Sequence, residues 1–415
     1  MELAPLPAQS KLHQRAWLVV VLLAMVGCLN YLDRIMITTM RSSIIDAIPM
    51  SDAQFGLLTS VFLWIYGIAS PFAGFLADKF SRSRVIIASL FLWSLVTWLT
   101  AYSTTFNHLL VTRALMGISE ACYIPAALSL IVDYHRTTTR SLAVGIHMVG
   151  IMIGSGLGFI GGWVAERHYW NTIFIVLGIL GIVYAVVLSF TLKDAPKSEA
   201  TITSEKNEEK VSFLHSVGVL FKMRSYIFVF IAWGLLGIVA WLVVGWLPTY
   251  FQEHFDLTQG MAGLYATGYL YPAAIVGLLL GGFWADRWSR ANPRARVLVP
   301  VIGLCIAAPS IFLASYTGIL SVAVICFMLY SLTKSFIDAN MMPILCLITY
   351  PRYRATGYGI LNLLSCIIGG MGLYAGGVLR DSNINLSAVY QIAALTMFIG
   401  IAALIAVKPK YTDAE

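Results

Sequence analysis

Several ionisable side chains lie inside long apolar stretches of this sequence, where charged groups are uncommon. The stretch "NYLDR" carries Asp33 and Arg34, and a later stretch carries Arg113 and Glu120, seven residues apart. Seven residues make two helical turns, so Arg113 and Glu120 lie on one face of a helix. Asp33 and Arg34 are adjacent and point about 100° apart, so one can face a cavity and the other a neighbouring helix. Such carboxylates can take up protons, and such arginines can bind an anion.

These two kinds of group can act together. A buried carboxylate resists ionisation, whereas a nearby arginine favours it. An anionic substrate that occupies the arginine would free the carboxylate to accept a proton, so that anion and proton bind as a set. Arginine suits this role because its planar guanidinium grips a carboxylate through two hydrogen bonds and stays charged. The alternative is a permanent buried ion pair that only holds helices together.

Other polar and aromatic side chains inside apolar stretches extend this candidate site. Lys334 and Asp338 are four residues apart and can pair on one helix face. They are either a second anchor for a substrate or an internal salt bridge. His147 is either a proton relay or a histidine that packs between helices. Six more residues are candidates for contacts with a substrate: Tyr31, Tyr66, Trp241, Tyr265, Asn340 and Asn362.

The composition indicates a membrane protein. The chain has 415 residues, of which 59% are hydrophobic and 11% are charged, whereas soluble domains carry about 25% charged residues. The net charge of +7 is typical of basic loops at a membrane surface, so we expect no nucleic-acid partner. The six cysteines lie in apolar runs without a CxxC pair, and no enzyme signature is present. We therefore expect a protein that is not an enzyme and that needs neither a metal nor a cofactor.

Twelve transmembrane helices are predicted, six on either side of a polar linker at 193–225. We expect an all-α membrane protein with one six-helix bundle at 1–192 and a second at 226–415. Spans 1 to 6 are predicted at 16–39, 54–77, 84–103, 107–133, 141–165 and 169–192. Spans 7 to 12 are predicted at 226–250, 260–285, 296–315, 318–345, 355–378 and 386–407. In span 5, the small residues of "GSGLGFIGG" predict close contact with another helix.

Three short phrases recur at corresponding places in the two halves. "GFLADKFSRSR" follows span 2 and "GFWADRWSR" follows span 8, while "RSLAVGI" and "RATGYGI" open spans 5 and 11. "EACYIP" in span 4 corresponds to "DANMMP" in span 10, which makes Asp338 the counterpart of Glu120. The halves are therefore duplicated, pseudo-symmetric bundles with the same orientation. Parallel repeats around a central site are the plan of transporters that work by alternating access.

The basic residues of the short loops predict the orientation, because Lys and Arg accumulate on the cytoplasmic side. The opposite loops carry only scattered charges such as Arg41, Arg167 and Arg380. Both termini are therefore expected in the cytoplasm, and the membrane is expected to be a bacterial plasma membrane. The residues on the basic side are Lys79, Arg82, Arg84, Arg136, Arg140, Arg287, Arg290, Arg294, Arg296, Arg352 and Arg354.

The repeated loop carries a family resemblance. "GFLADKFSRSR" resembles the G-x-L-a-D-R/K-x-G-R-R/K loop motif of the major facilitator superfamily, with Ser81 in place of the usual glycine. The resemblance implies two six-helix bundles and a latch that closes the cytoplasmic side. The residues implied for that latch are Asp78, Arg82, Arg84, Asp286, Arg287 and Arg290.

The combination of "NYLDR" in span 1 with Arg113 and Glu120 in span 4 resembles two branches of that superfamily. One is the anion:cation symporter branch, which implies import of a small organic anion such as a sugar acid with protons. The other is the spinster-like branch, which implies transport of lysolipids or other lipid-like anions. Both imply proton coupling at Asp33 and Glu120 and anion binding at Arg34 and Arg113. Asp338 is a third candidate for proton coupling, because it is the repeat counterpart of Glu120. We take the sugar-acid function first, with the lipid function as the alternative, and expect a monomer in the lipid bilayer.

Overall fold

The computed structural model of the protein describes residues 7–135, 137–195 and 213–408. Within these residues every regular element is helical, which confirms the predicted all-α class. Twelve helices there are long and apolar enough to cross a membrane, as the hydrophobic pattern predicts. A short helix, Arg41–Ala47, follows span 1, and a second, Phe213–Lys222, precedes span 7. We call the second one the linker helix.

The bounds of the spans agree with the predicted ones to within a few residues at most ends. Spans 1 to 6 consist of the helices Pro7–Thr39, Asp52–Lys79, Arg82–Thr100, Phe106–Ala121 with Tyr123–Tyr134, Thr137–Gly156 with Phe159–Arg167, and Thr172–Thr191. Spans 7 to 12 consist of Arg224–His254, Gln259–Gly263 with Leu270–Ser289, Ala295–Tyr316, Leu320–Ile348, Arg354–Asp381 and Leu386–Ile405. A π-helical turn, Leu264–Gly268, interrupts span 8, and a 3₁₀ turn, Pro351–Tyr353, precedes span 11.

Span 4 is two helices that meet at Cys122. Pro125 has no amide hydrogen, so it cannot donate to the carbonyl of Ala121 one turn earlier, and the regular hydrogen bonding is interrupted there. Glu120 lies directly before this interruption. Its counterpart in span 10 differs, because the helix Leu320–Ile348 continues through Pro343.

Spans 1 and 5 approach each other closely through small residues, as the glycine-rich phrase of span 5 predicts. A methyl group added to Gly154 would lie 2.0 Å from the carbonyl oxygen of Cys28 in span 1. Only glycine fits at that distance. Gly145, two and a half turns earlier on span 5, has no atom within 4 Å of the same position.

The two bundles meet at one face of the membrane and separate at the other. The helix Pro7–Thr39 begins, and the helix Leu386–Ile405 ends, at the same face of the membrane. We call this face the terminal face. In the half nearer the opposite face, the Ser60 hydroxyl of span 2 donates to the Gly370 carbonyl of span 11 at 2.6 Å. On the other side of the molecule, the Thr267 hydroxyl of span 8 donates to the Gly156 carbonyl of span 5 at 3.1 Å.

Toward the terminal face, the same spans have open space beside them. Among the described residues, no atom lies within 4 Å of a methyl group added to Gly74 of span 2, Gly145 of span 5 or Gly359 of span 11. By contrast, a methyl group on Gly56 of span 2, near the opposite face, would lie 2.7 Å from the Leu373 carbonyl of span 11. Toward the opposite face the bundles are therefore in close contact, whereas these glycines near the terminal face have free space beside them.

We predict that Gly154→Ala lowers the stability of the folded chain by about 1–3 kcal/mol, because the added methyl group overpacks the contact with span 1. Gly145→Ala is the matched control and should cause no loss, because the methyl group enters open space and alanine favours a helix. Thermal unfolding of the two purified variants measures this. Equal melting temperatures for the two variants would contradict the close contact of spans 1 and 5.

Candidate functional site

A buried ion pair joins span 1 to span 4 at the centre of the first bundle. The Arg34 guanidinium donates to Glu120 Oε2 from Nη2 at 2.9 Å and from Nε at 3.3 Å. The side chains of Arg34 and Glu120 are 4% and 0% exposed. The other carboxylate oxygen, Oε1, has no hydrogen-bond partner among the described residues. Glu120 thus keeps one oxygen at which a proton or another donor can bind.

Aromatic rings surround the Arg34 guanidinium. Its central carbon lies 4.5 Å from the ring centres of Tyr31 and Tyr66 and 4.8 Å from that of Phe62. Tyr31 is one helical turn before Arg34 on span 1, while Phe62 and Tyr66 are one turn apart on span 2. The faces of aromatic rings attract cations, so this arrangement holds the guanidinium in a largely apolar setting.

Arg113 is a second buried cation in the same region. Glu120 and Asp33 attract it through space, but among the described residues neither forms a salt bridge with it. Arg113 is 2% exposed, and its guanidinium lies 4.9 Å from the Phe62 ring centre. Its Nη1 donates to the sulfur of Met116 at 3.1 Å, and its Nε has no partner among the described residues. No carboxylate forms a salt bridge with it in the described part of the chain. A buried charge without a counterion is strongly unfavourable, so this position favours the arrival of an anion.

Asp33 points away from its neighbour Arg34, toward span 3. The Thr97 hydroxyl donates to its Oδ2, and its Oδ1 has no partner among residues that the structure describes. Asp33 is 4% exposed. The adjacent acidic and basic side chains therefore face different helices, as their angular separation on span 1 predicts.

The structure brings Trp241 to this centre. It lines a narrow cavity together with Arg34, Arg113 and Phe62, between spans 1, 2, 4 and 7. Tyr271 of span 8 also interacts with Arg34, with Tyr31 and with Ser155 of span 5. Sequence reasoning selected Tyr265 among the tyrosines of span 8 and missed Tyr271. The π-helical turn Leu264–Gly268 changes which of these tyrosines faces the centre, and it leaves no clear pattern in the sequence.

Two other predicted substrate-binding residues, Tyr265 and Asn340, lie elsewhere. Tyr265 stacks on Tyr269 at 5.4 Å and lies 6.0 Å from Phe251, toward the opposite face. The Asn340 amide donates to the carbonyls of Phe336 and Gly281, so it joins span 10 to span 8.

His147 is fully buried between spans 1, 4 and 5, away from Arg34 and Glu120. Its ring lies 5.8 Å from that of Tyr123 and next to Gly27. This position is that of a histidine that packs between helices.

Lys334 and Asp338 pair with each other on span 10. The ammonium group lies 2.7 Å and 2.9 Å from the two carboxylate oxygens, and the side chains are 21% and 28% exposed. Tyr330 and Tyr358 lie within electrostatic reach of Asp338. Asn362 is half-buried on span 11, one turn after Tyr358, and so lies on the same side of that helix.

The comparisons with known proteins agree with this architecture. The family model of the Major Facilitator Superfamily matches residues 23–373 and, in a second match, 253–415. The chain belongs to the Major Facilitator Superfamily. The predicted resemblance of the repeated loop is thereby confirmed.

Relatives within the superfamily are spinster proteins. Protein spinster homolog 1 of Xenopus tropicalis is 27% identical over 381 residues, which cover 88% of this chain and 72% of that protein. The sphingosine-1-phosphate transporter SPNS2 of Mus musculus is 28% identical over 380 residues, covering 87% of this chain and 69% of its own. These relatives confirm the resemblance to the spinster-like branch.

Two solved structures share the fold. A bacterial homologue of the human lysosomal transporter spinster, in an inward-facing and unoccupied conformation, has a TM-score of 0.75 at 22% identity over 95% of both chains. The nucleoside transporter NupG has a TM-score of 0.75 at 14% identity, over 94% of this chain and 99% of its own. This superfamily chain is a multi-pass membrane transporter.

The residues predicted to latch this transporter at the terminal face make contacts only within their own bundles. Arg82 pairs with Asp133 at the end of span 4, and Arg296 lies 3.3 Å from Asp286. Arg84, Arg287 and Arg290 are exposed. The Asp78 side chain and the whole of Arg136 lie outside the described residues. The latch therefore stays a prediction for a state in which this face is closed.

Asp194 fastens the end of span 6 to the start of span 3 at the same face. Its carboxylate accepts hydrogen bonds from the Ser81 hydroxyl at 2.5 Å and the Ser83 amide at 2.8 Å. Burial by itself would raise the pKa of Asp194, but these hydrogen bonds and the nearby Arg82 outweigh it and hold that pKa below its usual value. Ser81, which departs from the family glycine, thus has a structural partner.

At the opposite face, four charged side chains form a cluster that joins the two bundles. Arg380 of span 11 donates from both terminal nitrogens to Glu253 at 2.7 Å and from Nε to Asp52 of span 2 at 3.0 Å. Arg41 pairs with Asp52 and lies 3.6 Å from Glu253. We call these four residues the opposite-face cluster. The charges that the sequence presents as scattered are therefore adjacent in space.

Asp381 adds a further link beside the opposite-face cluster. Its carboxylate accepts from the backbone amides of Asp52 and Ala53 at 2.9 Å and 3.0 Å. These amides begin span 2, where helical amides lack partners of their own. An acid of the second bundle thus caps a helix of the first. Separation of the bundles at this face must break that cap.

We predict that Arg380→Gln increases the population of molecules open at the opposite face, because it removes the contacts to Asp52 and Glu253 together. Several partly exposed contacts contribute about 1–3 kcal/mol together, which shifts a two-state equilibrium about tenfold. Distances between spin labels on the two bundles at this face measure the shift.

Arg167→Gln is the matched control, because Arg167 lies on the same face and contacts Trp163 of its own helix. Its distance distribution should equal that of the wild type. Unchanged distances in Arg380→Gln, or the same change in both variants, would contradict the role of the opposite-face cluster.

Proposed function

We propose that this chain transports an amphiphilic organic anion, such as a lysolipid, by alternating access and coupled to protons. The observation that carries the proposal is the buried Arg113, which forms no salt bridge among the described residues, beside the Arg34–Glu120 ion pair at a cavity that Trp241 of the second bundle also lines. A transporter site must bind an anion and release it again. An arginine that forms no salt bridge with a described residue provides the binding energy, and a neighbouring ion pair provides a group that can exchange partners.

The anionic group of the substrate is expected to bind Arg113 and to compete with Glu120 for Arg34. Both guanidinium groups flank the ring of Phe62, so one anion can lie within reach of both. When the anion takes donors from Arg34, Glu120 loses the partner that favours its ionised form. Glu120 then accepts a proton at the carboxylate, so the anion and the proton together leave the net charge of the centre unchanged.

Asp33 is proposed as a second proton site. One of its oxygens is held by Thr97, the other has no partner among the described residues, and the group is buried. Its carboxylate faces span 3, so its protonation would alter the contact between spans 1 and 3. Asp338 has weaker support as a proton site, because Lys334 neutralises it in this conformation.

The lining of the centre favours a lipid-like anion over the sugar acid that the sequence suggests first. Tyr31, Phe62, Tyr66 and Trp241 present mostly apolar surface around the cations. Asn340, one of the two asparagines expected to contact a polyhydroxylated substrate, is hydrogen-bonded between spans 8 and 10. Lys334, the candidate second anchor, pairs with Asp338. The spinster proteins and the sphingosine-1-phosphate transporter among the relatives support the same choice.

We further propose that the terminal face is cytoplasmic. Arginines and lysines of the short loops concentrate there, in accordance with the positive-inside rule. The structure would then correspond to a state that is open to the cytoplasm. Placement in a bacterial plasma membrane and a monomeric state stay predictions from the sequence.

Purified protein in liposomes tests the substrate class. With an imposed pH gradient, we expect uptake of a lysophospholipid and little uptake of a hexuronate. Arg113→Gln should weaken binding of the lysophospholipid about a hundredfold or more, because a buried charge-assisted contact is lost. Arg140→Gln, which removes the same charge from an exposed position near the start of span 5, is the control and should bind normally. Uptake of the hexuronate alone would favour the sugar-acid function, and normal binding by Arg113→Gln would contradict the role of Arg113.

A further inference from the structure

A second cavity, with two basic side chains in its lining, lies at the terminal face. It has a volume of about 470 Å³ and lies between the linker helix, the start of span 7 and the end of span 10. The linker helix contributes Val219 and Lys222, and the start of span 7 contributes Arg224 and Ser225. Met223, Ile348 and Tyr350 complete the lining. No acidic residue is among them.

The two cations of this cavity are available to a ligand. Lys222 and Arg224 are both exposed, and neither forms a hydrogen bond or an ion pair with another described residue. They are separated by one residue, at the junction of the linker helix with span 7. The Ser225 hydroxyl, which binds the Lys408 carbonyl at 3.0 Å, fixes this junction against the end of the chain described here.

The linker helix is positioned as an element that lies along the membrane surface. Leu220 is fully buried and Ser216 nearly so, whereas Phe213 is 61% exposed and Phe221 is 38% exposed. The ring of Phe221 packs on that of Phe230 in span 7 at 5.1 Å. A helix with one buried face, exposed aromatic rings and a terminal lysine is typical of the boundary between lipid headgroups and acyl chains.

We propose that this cavity binds the phosphate headgroup of an anionic phospholipid from the leaflet at the terminal face. Lys222 and Arg224 would hold the phosphate oxygens, since a phosphate accepts several charge-assisted hydrogen bonds. Val219, Met223 and Ile348 would contact the apolar part next to the headgroup, which a free phosphate ion lacks. Basic pockets between membrane helices on the cytoplasmic side bind such headgroups in other proteins. A bound lipid would tie the linker helix to spans 7 and 10.

Native mass spectrometry of the purified full chain tests this, with phosphatidylglycerol and phosphatidylcholine of the same acyl chains as probes. We expect tighter binding of phosphatidylglycerol, and a loss of about tenfold in the variant Lys222→Gln/Arg224→Gln. The variant Lys222→Arg/Arg224→Lys keeps both charges and should keep most of the affinity. Equal binding of the two lipids by the wild type would overturn the proposal.

The matched control is Arg287→Gln/Arg290→Gln, which removes two exposed positive charges at the same face but away from the cavity. It should bind phosphatidylglycerol as the wild type does. If it loses as much affinity as Lys222→Gln/Arg224→Gln, the lipid follows the overall charge of the face, and the site is refuted. Inorganic phosphate in large excess should not displace the lipid; displacement would show that the cavity binds a soluble phosphate instead.

Discussion

The ion pair between Arg34 and Glu120 is the interaction on which the rest of the first bundle depends. Removing two charges from water costs several kcal/mol for each ion, and their attraction repays that cost only when the geometry is good. Two hydrogen bonds to one oxygen and the aromatic rings around the guanidinium provide that geometry. The ion pair therefore fixes the positions of spans 1, 2 and 4 relative to one another. The interruption of span 4 at Cys122 comes after Glu120, so it leaves the ion pair intact.

Arg113 turns this structural pair into a candidate functional site. Glu120 is hydrogen-bonded to Arg34, and among the described residues no carboxylate forms a salt bridge with Arg113, which Glu120 and Asp33 attract only through space. An anion can therefore bind Arg113 directly, and the ion pair is the element that can rearrange when it does. At the opposite face, the opposite-face cluster and the cap that Asp381 places on span 2 hold the two bundles together.

Sequence reasoning predicts the twelve spans, the duplication and the central charged residues, because each is a local property of composition or helical spacing. The contacts between helices are less accessible to it. Asn340 and Tyr265 have the chemistry of substrate-binding residues, but periodicity does not tell which neighbouring helix they face. Arg380 and Glu253 are recognisable as charges at the ends of spans. Whether Arg380 meets the charges of the first bundle depends on which face of the transporter is closed. One sequence encodes the states closed at either face.

The central claim is that a bound anion displaces Arg34 from Glu120 and that Glu120 then takes up a proton. It is tested most directly by adding a lysophospholipid to purified protein in weakly buffered solution and following the pH with an indicator. The account predicts that the wild type takes up protons as the anion binds, so that the pH of the solution rises, and that Glu120→Gln binds the anion without this change. Anion binding by the wild type with no proton uptake, or with the same uptake in Glu120→Gln, would contradict the account.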